Sequence, residues 1–110
     1  MPARGAGSFD RRVSIQEASE VVDDSGGVSK VWLTNETVWS EVTPLRGDEL
    51  FQAQQFAAKS DTRFRMRWRD DFTATDTFRL VHEGRNYNIK HIAEIGRREG
   101  LEILAEGRAE

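Results

Sequence analysis

Residues 62–69 alternate strictly between arginine and large apolar side chains after an initial threonine, in the order TRFRMRWR. Successive side chains of a β-strand point to opposite faces, so an extended conformation separates the two kinds of residue completely. The pattern predicts a strand that buries Phe64, Met66 and Trp68. Its other face carries an arginine row, which comprises Arg63, Arg65, Arg67 and Arg69. This row needs carboxylates on neighbouring strands, a partner protein or a phosphate backbone to face it.

The chain has the size and composition of one domain. Its 110 residues, 37% hydrophobic and 32% charged, can bury a modest core. The absence of cysteine excludes a disulfide scaffold, a thiol nucleophile and a thiolate metal site. Residues 1–7 are too polar for a signal peptide, and no apolar run approaches the roughly 18 residues of a membrane span. We therefore expect one soluble intracellular domain over residues 1–110, a flexible arm at 1–7 and no membrane partner.

The charges are distributed unevenly, although the net charge is only −3. Residues 1–45 carry 4 basic and 7 acidic side chains, residues 46–69 carry 6 and 3, and residues 70–110 carry 6 and 9. A positive middle between negative flanks favours directional docking, either of strands within the fold or of one subunit against another. Cross-strand pairing alone explains the pattern equally well.

Short β-branched and aromatic runs between turn residues predict a mainly β fold, a small single-domain barrel or sandwich. Strands are predicted at residues 12–16, 28–33, 37–43, 62–69, 77–82, 86–95 and 101–105. Turns rich in Asp, Ser and Gly are predicted at residues 23–27, 70–71, 83–85 and 96–100. Residues 34–36 form a turn or a bulge between the second and third strands, and Pro44 ends the third.

Residues 46–60 predict a helix or loop inserted after the third strand. Asp48 is the expected N-cap of a helix over residues 49–58, because its carboxylate can accept hydrogen bonds from the first backbone amides. Ala, Gln, Glu and Leu favour a helix, but about ten residues are marginal in isolation. The helix must therefore pack against the domain; alternatively, the segment is a partly ordered loop that settles only against a partner.

No pattern of residues predicts an enzyme. His82 and His91 fall on the predicted inward face of their strands. His91 shares that face with Tyr87, Ile89, Ala93 and Ile95. The sequence around the two histidines has no metal-binding motif. The acid pairs at 23–24 and 70–71 lie in turns, where Asp bonds its own backbone. No Gly-rich loop cradles phosphate and no Ser lies in a nucleophile elbow. We expect no catalytic residue, no cofactor and no metal.

The arginine row also suits DNA, because phosphate binding requires only positive charge within reach. Stacking on bases would require exposed aromatic side chains on the same face, whereas here the aromatic residues alternate away from the arginines. We favour pairing of the arginines with carboxylates of adjacent strands. A small barrel that binds nucleic acid through this strand is the alternative function.

Seven segments occur in an order that resembles a known family. They are GSFDRRVSIQ (7–16), DSGG (24–27), VWSEVTPL (38–45), ELFQAQQ (49–55), TRFRMRWRD (62–70), YNI (87–89) and REGLEIL (98–104). In this order, over nearly the whole chain, they resemble the phage head–tail joining proteins, the head-closure or stopper proteins of long-tailed phages and gene transfer agents.

The resemblance implies a small β-barrel with an insertion after the third strand, and a structural virion protein. It implies a ring of identical subunits, a hexamer or dodecamer, between a portal or adaptor protein above and a tail terminator or tail tube protein below. The ring closes the DNA-filled head, contacts the packaged DNA non-specifically in its channel and joins the head to the tail. The protein is then located in the neck of a virion or gene transfer agent particle that is assembled in the bacterial cytoplasm.

Two surfaces are expected to serve this assembly. The candidate ring interface comprises residues in and just before the insertion, namely Leu45, Leu50, Phe51, Gln55 and Phe56. The arginine row is the candidate charged interface or channel face. One departure from the family concerns residues 46–60, whose pattern is more helical than that of a plain gating loop.

Overall fold

The computed structural model describes residues 9–70 and 77–108. Its elements are the strands β1 (Arg11–Val22) and β2 (Val28–Pro44), the helix α1 (Gly47–Phe56), and the strands β3 (Thr62–Met66), β4 (Phe78–His82), β5 (Arg85–Ile95) and β6 (Gly100–Arg108). The strands pair antiparallel in the order β1-β2-β3-β6-β5-β4, and β4 closes the barrel on β1. The predicted mainly β fold with one short helix is confirmed. The predicted arm at 1–7 and residue 71 of a predicted turn lie outside the described residues.

The barrel interior is filled by the inward side chains of all six strands. Phe64 and Met66 are buried as the alternation predicts, and Phe64 packs edge-to-face on Tyr87 with ring centroids 4.9 Å apart. The remaining buried members of this core are Val13, Ile15, Leu80, Ile89, Leu101, Ile103 and Ala105. Alternate residues of each strand therefore form one continuous core.

The arginine-bearing strand is shorter than predicted. β3 ends at Met66, which pairs with Ser40 of β2 and Leu101 of β6. Since β6 begins at Gly100, almost no backbone remains on that side to extend the ladder. Trp68 still packs against the core, as the alternation predicts, and the Arg98 guanidinium lies 4.9 Å from its ring centroid.

The second and third predicted strands form one strand, β2. The pairing of β1 with β2 shifts between Ile15 and Gln16, which leaves Asn35 as the extra residue of a β-bulge. The Asn35 side-chain amide donates to Glu17 Oε1 at 2.9 Å. Of the two predicted alternatives for residues 34–36, the bulge is correct, and α1 consequently follows the second strand rather than the third.

A second bulge changes the inward face of β5. Ile89 pairs with Ala105 and His91 with Leu104, so Lys90 is the extra residue. Past the bulge the alternation is reversed, and Ile92 packs against the core. The predicted common face is therefore correct only up to Ile89, and the inward placement of His91 is wrong.

The insertion is a helix, but its predicted N-cap is wrong. Arg46 occupies the cap position with an extended backbone, and no side chain caps the helix. The Arg46 carbonyl accepts the Leu50 amide at 3.4 Å, so the helix begins before Asp48. Asp48 and Glu49 lie in the first turn, where acidic side chains interact favourably with the helix dipole.

The β1–β2 hairpin extends beyond the barrel. β4 pairs with β1 only from Ser14 to Glu17, and β3 pairs with β2 only from Ser40 onward. Residues 19–31, the hairpin arm, therefore pair only within the hairpin in the described parts of the chain. The molecule measures 57 × 27 × 25 Å, and its radius of gyration is 15.0 Å, against about 13 Å for a compact chain of this length.

Within the same described parts, no helix has the length and apolarity needed to cross a membrane.

Candidate assembly interfaces

Three of the four arginines in the row are paired with glutamates. Arg65 lies between two strands, with its Nη2 atom 2.8 Å from Glu102 on β6 and its Nη1 atom 3.8 Å from Glu41 on β2. Arg63 Nη1 is 2.9 Å from a glutamate of the helix, Glu49. Pairing with carboxylates, the favoured interpretation of the row, is therefore observed, although one partner comes from α1 instead of a strand.

The two arginines beyond the end of β3 differ from each other. Arg69 Nη2 lies 2.9 Å from Glu36 Oε1 on β2. Arg67 is exposed and forms no ion pair with the rest of the described chain. The row therefore does not present four free cations on one face, and Arg67 is its member without an ion-pair partner among the described residues.

The candidate residues of the insertion separate into two groups. Leu45 is only 6% exposed and forms a small second core with Ala53, Ala57 and Leu104, against which Leu50 packs. Leu45 and Leu50 therefore attach the helix to the barrel. In the monomer Leu45 is not accessible to a neighbouring subunit, whereas Leu50 remains partly exposed.

The other insertion candidates face outward. Phe51 is 67% and Phe56 65% exposed, and Gln55 is exposed between them. Phe56 makes its ring contact with His91, edge-to-face at 5.1 Å between centroids. Phe51, Gln55 and Phe56 form the outer helix face, a surface with two exposed aromatic rings that the monomer does not bury.

A further apolar surface, on the hairpin arm, was not predicted from the sequence. Its most exposed members are Val22 and Val28, at 67% and 62%, which pair at the end of the hairpin. Val21, Val31 and the neighbouring Leu33 are also exposed, on the opposite face of the hairpin. The prediction of β1 ended at Gln16 and so missed the arm. Valines on both sides of a strong turn were the available signal, because they favour a longer hairpin.

The turn at the end of the arm is held by one carboxylate. Asp23 Oδ1 accepts hydrogen bonds from the Ser25 amide at 3.0 Å, the Ser25 hydroxyl at 3.2 Å and the Gly27 amide at 2.7 Å. These bonds lower the pKa of Asp23 below its ordinary value of 3.8, and the bond from the Gly27 amide has the largest effect. Gly26 has a φ of +84°, which glycine adopts without strain. The predicted turn at 23–27 is confirmed.

Trp39 stands beside an open cleft near the start of β1. The cleft has a volume of about 460 Å³ and is lined by Phe9, Asp10, Trp39 and Arg67. The indole is 52% exposed, and the guanidinium of Arg12 lies 4.8 Å from its ring centroid. We refer to this site, including Arg12, as the Trp39 cleft. It combines an exposed aromatic surface with two cations.

The histidines have structural surroundings. His82 Nδ1 lies 3.3 Å from the carbonyl oxygen of Arg12, and its Nε2 lies 3.8 Å from Glu83. Over residues 9–70 and 77–108, no three His, Asp or Glu side chains are arranged to hold a metal ion.

Large apolar side chains left exposed on a small barrel are typical of a protein that binds other proteins. Residues 4–108 match the sequence pattern of the phage head completion proteins. The chain belongs to this family, which confirms the resemblance seen in the sequence. It is a structural protein of the virion, and the expected virion location is confirmed.

Solved structures share the fold. Protein SF1141 from Shigella flexneri 2a, solved in solution, is 27% identical with a TM-score of 0.76, over 94% of this chain and 96% of that one. A chain in the virion of a native gene transfer agent particle is 23% identical with a TM-score of 0.59, over 90% and 94% of the two chains. At that identity the second comparison shows the fold alone. No curated protein matches the chain significantly.

Proposed function

We propose that the chain closes the DNA-filled head and joins it to the tail, as a ring below the portal or adaptor protein. The observation that carries this proposal is the match to the head completion family over nearly the whole chain. A tail terminator or tail tube protein is the partner on the opposite side of the ring, and packaged DNA passes through the channel without sequence-specific contact.

The exposed surfaces support a ring. A closed ring of identical subunits uses heterologous contacts, so each subunit needs two different complementary patches. The outer helix face lies on α1, and the hairpin arm and the Trp39 cleft lie at opposite ends of the β1–β2 hairpin; the first two expose large apolar side chains. Apolar surface left exposed in a monomer commonly marks a contact with another protein.

Within this proposal the outer helix face contacts a neighbouring subunit or the adjacent ring. Phe51 and Phe56 are the anchors, because buried aromatic side chains contribute much of the free energy of protein association. Gln55 lies between them, and Leu45 and Leu50 hold the helix in place from beneath. Of the arginine row, Arg67 is available to a partner or to the channel, since the other three have glutamate partners.

Deletion of the gene from the phage or gene transfer agent that encodes the chain tests the proposal. Electron microscopy should show heads that fill with DNA, leak it and lack tails. Expression of the intact chain from a second copy of the gene should restore tailed particles. Normal tailed particles without the protein would contradict the proposal.

A further inference from the structure

We propose that the hairpin arm of one copy docks its turn into the Trp39 cleft of the next copy. This inference rests on the proposed ring and names its subunit contact. The occupant of the cleft is residues 22–28 of a neighbouring chain, and the contact runs head to tail. It uses two different patches of each subunit, as ring closure requires.

The cleft offers positive charge beside an apolar surface. Neither Arg12 nor Arg67 forms an ion pair with another described residue, and both are exposed. Trp39 is about half exposed and lines the cleft together with Phe9. Asp10 is the acidic residue of the lining, and its carboxylate lies 3.9 Å from Arg11 Nε. The cleft therefore suits an acidic segment that carries apolar side chains.

The end of the arm has the complementary chemistry. Asp24 is exposed at the turn and forms no ion pair within residues 9–70 and 77–108. Directly beside the turn, Val22 and Val28 pair on one face of the hairpin and are each more than 60% exposed. The three hydrogen bonds to Asp23 hold the turn in shape before docking, which reduces the conformational entropy lost on binding. The carboxylate of Asp24 can therefore pair with a guanidinium group of the cleft, while the two valines pack against the indole of Trp39.

The geometry requires that the cleft and the turn come from different chains. Arg12 and Trp39 are paired at the barrel end of the hairpin, whereas Asp24 lies at its other end. At about 3.3 Å per residue the separation along the hairpin is roughly 35 Å. Of this length, residues 19–24 lie beyond the part of β1 that is bonded to the rest of the barrel, so the turn projects about 20 Å and can reach an adjacent subunit.

Charge favours a second copy over the chain's own first residues as the occupant. Residues 1–8 contain one arginine and no acidic residue, so they would add positive charge to the cleft. The turn at residues 23–27 contains two aspartates and no basic residue. Opposite charges steer the encounter and determine its orientation, whereas like charges oppose it.

Paired cysteines provide the test, because the native chain has none. Particles assembled with the Asp24→Cys, Arg67→Cys double variant are purified, oxidised and run on a non-reducing gel. A disulfide requires Cα atoms within about 7 Å, which the separation of these sites within one chain excludes. We expect a ladder of covalent oligomers that extends to the full ring. Each single variant, as the matched control, should remain monomeric.

The outcomes separate this inference from the proposed function. Particles that contain the double variant and show no ladder, or only dimers, would overturn the head-to-tail contact and leave the ring proposal standing. A cross-link to another virion protein would also overturn it. Tailed particles that form without any copy of the chain would contradict the proposed function itself.

A charge exchange provides a second measurement. Asp24→Arg and Arg67→Glu should each reduce the yield of tailed particles at least tenfold. Co-expression of the two variants should restore the yield, because every contact in an alternating ring then joins opposite charges. Arg97→Glu, an equal charge change at an exposed residue of another turn, should have no effect. Failure of the mixture to exceed the single variants would contradict the contact.

Discussion

At the scale of single residues, the arginines of one alternating segment have different roles. Arg65 lies between Glu102 and Glu41, and its side chain is only 20% exposed. Arg67, two positions along, is exposed and unpaired in the described chain. The sequence pattern is the same at both positions. The difference arises because β3 ends between them, so only Arg65 has a neighbouring strand on each side.

Replacement of Arg65 by alanine should therefore destabilise the monomer. The change removes two charge-assisted hydrogen bonds to Glu102, from Nε at 2.9 Å and Nη2 at 2.8 Å, in a partly shielded position. We expect the free energy of unfolding to fall by about 1–2 kcal/mol. Arg67→Ala, the matched control, should change it by less than about 0.5 kcal/mol. Urea denaturation measures both, and equal losses would contradict the assignment.

Asp23 should make the stability of the arm depend on pH. Its pKa is lowered in the folded chain by the backbone and side-chain donors of the turn. A carboxyl group with a lowered folded pKa stabilises the fold above the unfolded pKa, and this stabilisation is lost as pH falls through the folded value. The contribution is therefore complete at neutral pH and disappears in acid below pH 3.8.

The Asp23→Ala variant should show this dependence in thermal unfolding. We expect a lower Tm than that of the native chain at pH 7, and convergence of the two values as the pH falls below 3.8. Asp24→Ala, which removes the adjacent carboxylate but none of these hydrogen bonds, should have little effect on Tm. A difference for Asp23→Ala that grows in acid would show that its carboxylate does not hold the turn.

At the scale of elements, α1 exists because one side of it is buried. Ala53 and Ala57 pack with Leu45 and Leu104 in the second core, which supplies the tertiary contacts that a ten-residue helix needs. The opposite side carries Phe51 and Phe56 into solvent. One short helix thus has both a structural and a free apolar face.

A substitution on the buried face of the helix region should reduce stability, whereas one on the exposed face should block assembly and leave stability nearly unchanged. Leu45→Ala should lower the free energy of unfolding by about 2–4 kcal/mol, because it removes most of a buried side chain. Phe51→Ser should change it by less than about 0.5 kcal/mol and still block the formation of tailed particles. Denaturation and electron microscopy measure the two effects. A large loss of stability in Phe51→Ser would place this ring in the monomer core.

At the scale of the whole molecule, the fold is a barrel with a projecting arm, and three of the four arginines in the arginine row are paired within the chain. Net charge is −3, and Arg63, Arg65 and Arg69 have glutamate partners. A continuous positive surface, which non-specific binding to phosphates requires, is therefore lacking at the arginine row in the described structure. This distribution favours protein contacts over DNA binding by the isolated subunit.

The isolated protein should consequently show no measurable binding to duplex DNA, even at low salt. Fluorescence anisotropy of a labelled duplex, titrated with the protein at low ionic strength, measures this directly. Arg67→Ala should give the same result as the native chain. Binding that weakens steeply as salt is added would instead support the nucleic-acid-binding alternative, because it would report the release of counterions from phosphates.

Much of the fold follows from local patterns in the sequence. Alternation within residues 62–66 identifies the inward Phe64 and Met66, and the residues at 23–27 and 83–85 identify turns. These features depend on side-chain period and on backbone preference, which act over a few residues. The helical segment is predictable for the same reason, and the order of segments was sufficient to suggest the family.

The faces beyond the two bulges and the interaction surfaces were decided by the tertiary structure. The extra residue Lys90 reverses the alternation of β5, and no local signal distinguishes it from its neighbours. Val22 is uncovered because β4 pairs with only part of β1, and Arg67 is uncovered because the ladder of β3 with β6 ends at Met66. In both cases the covering strand is distant in the sequence. The sequence alone thus determines which side chains alternate and where the chain turns. Pairing between distant strands decides which of those side chains remain exposed to a partner.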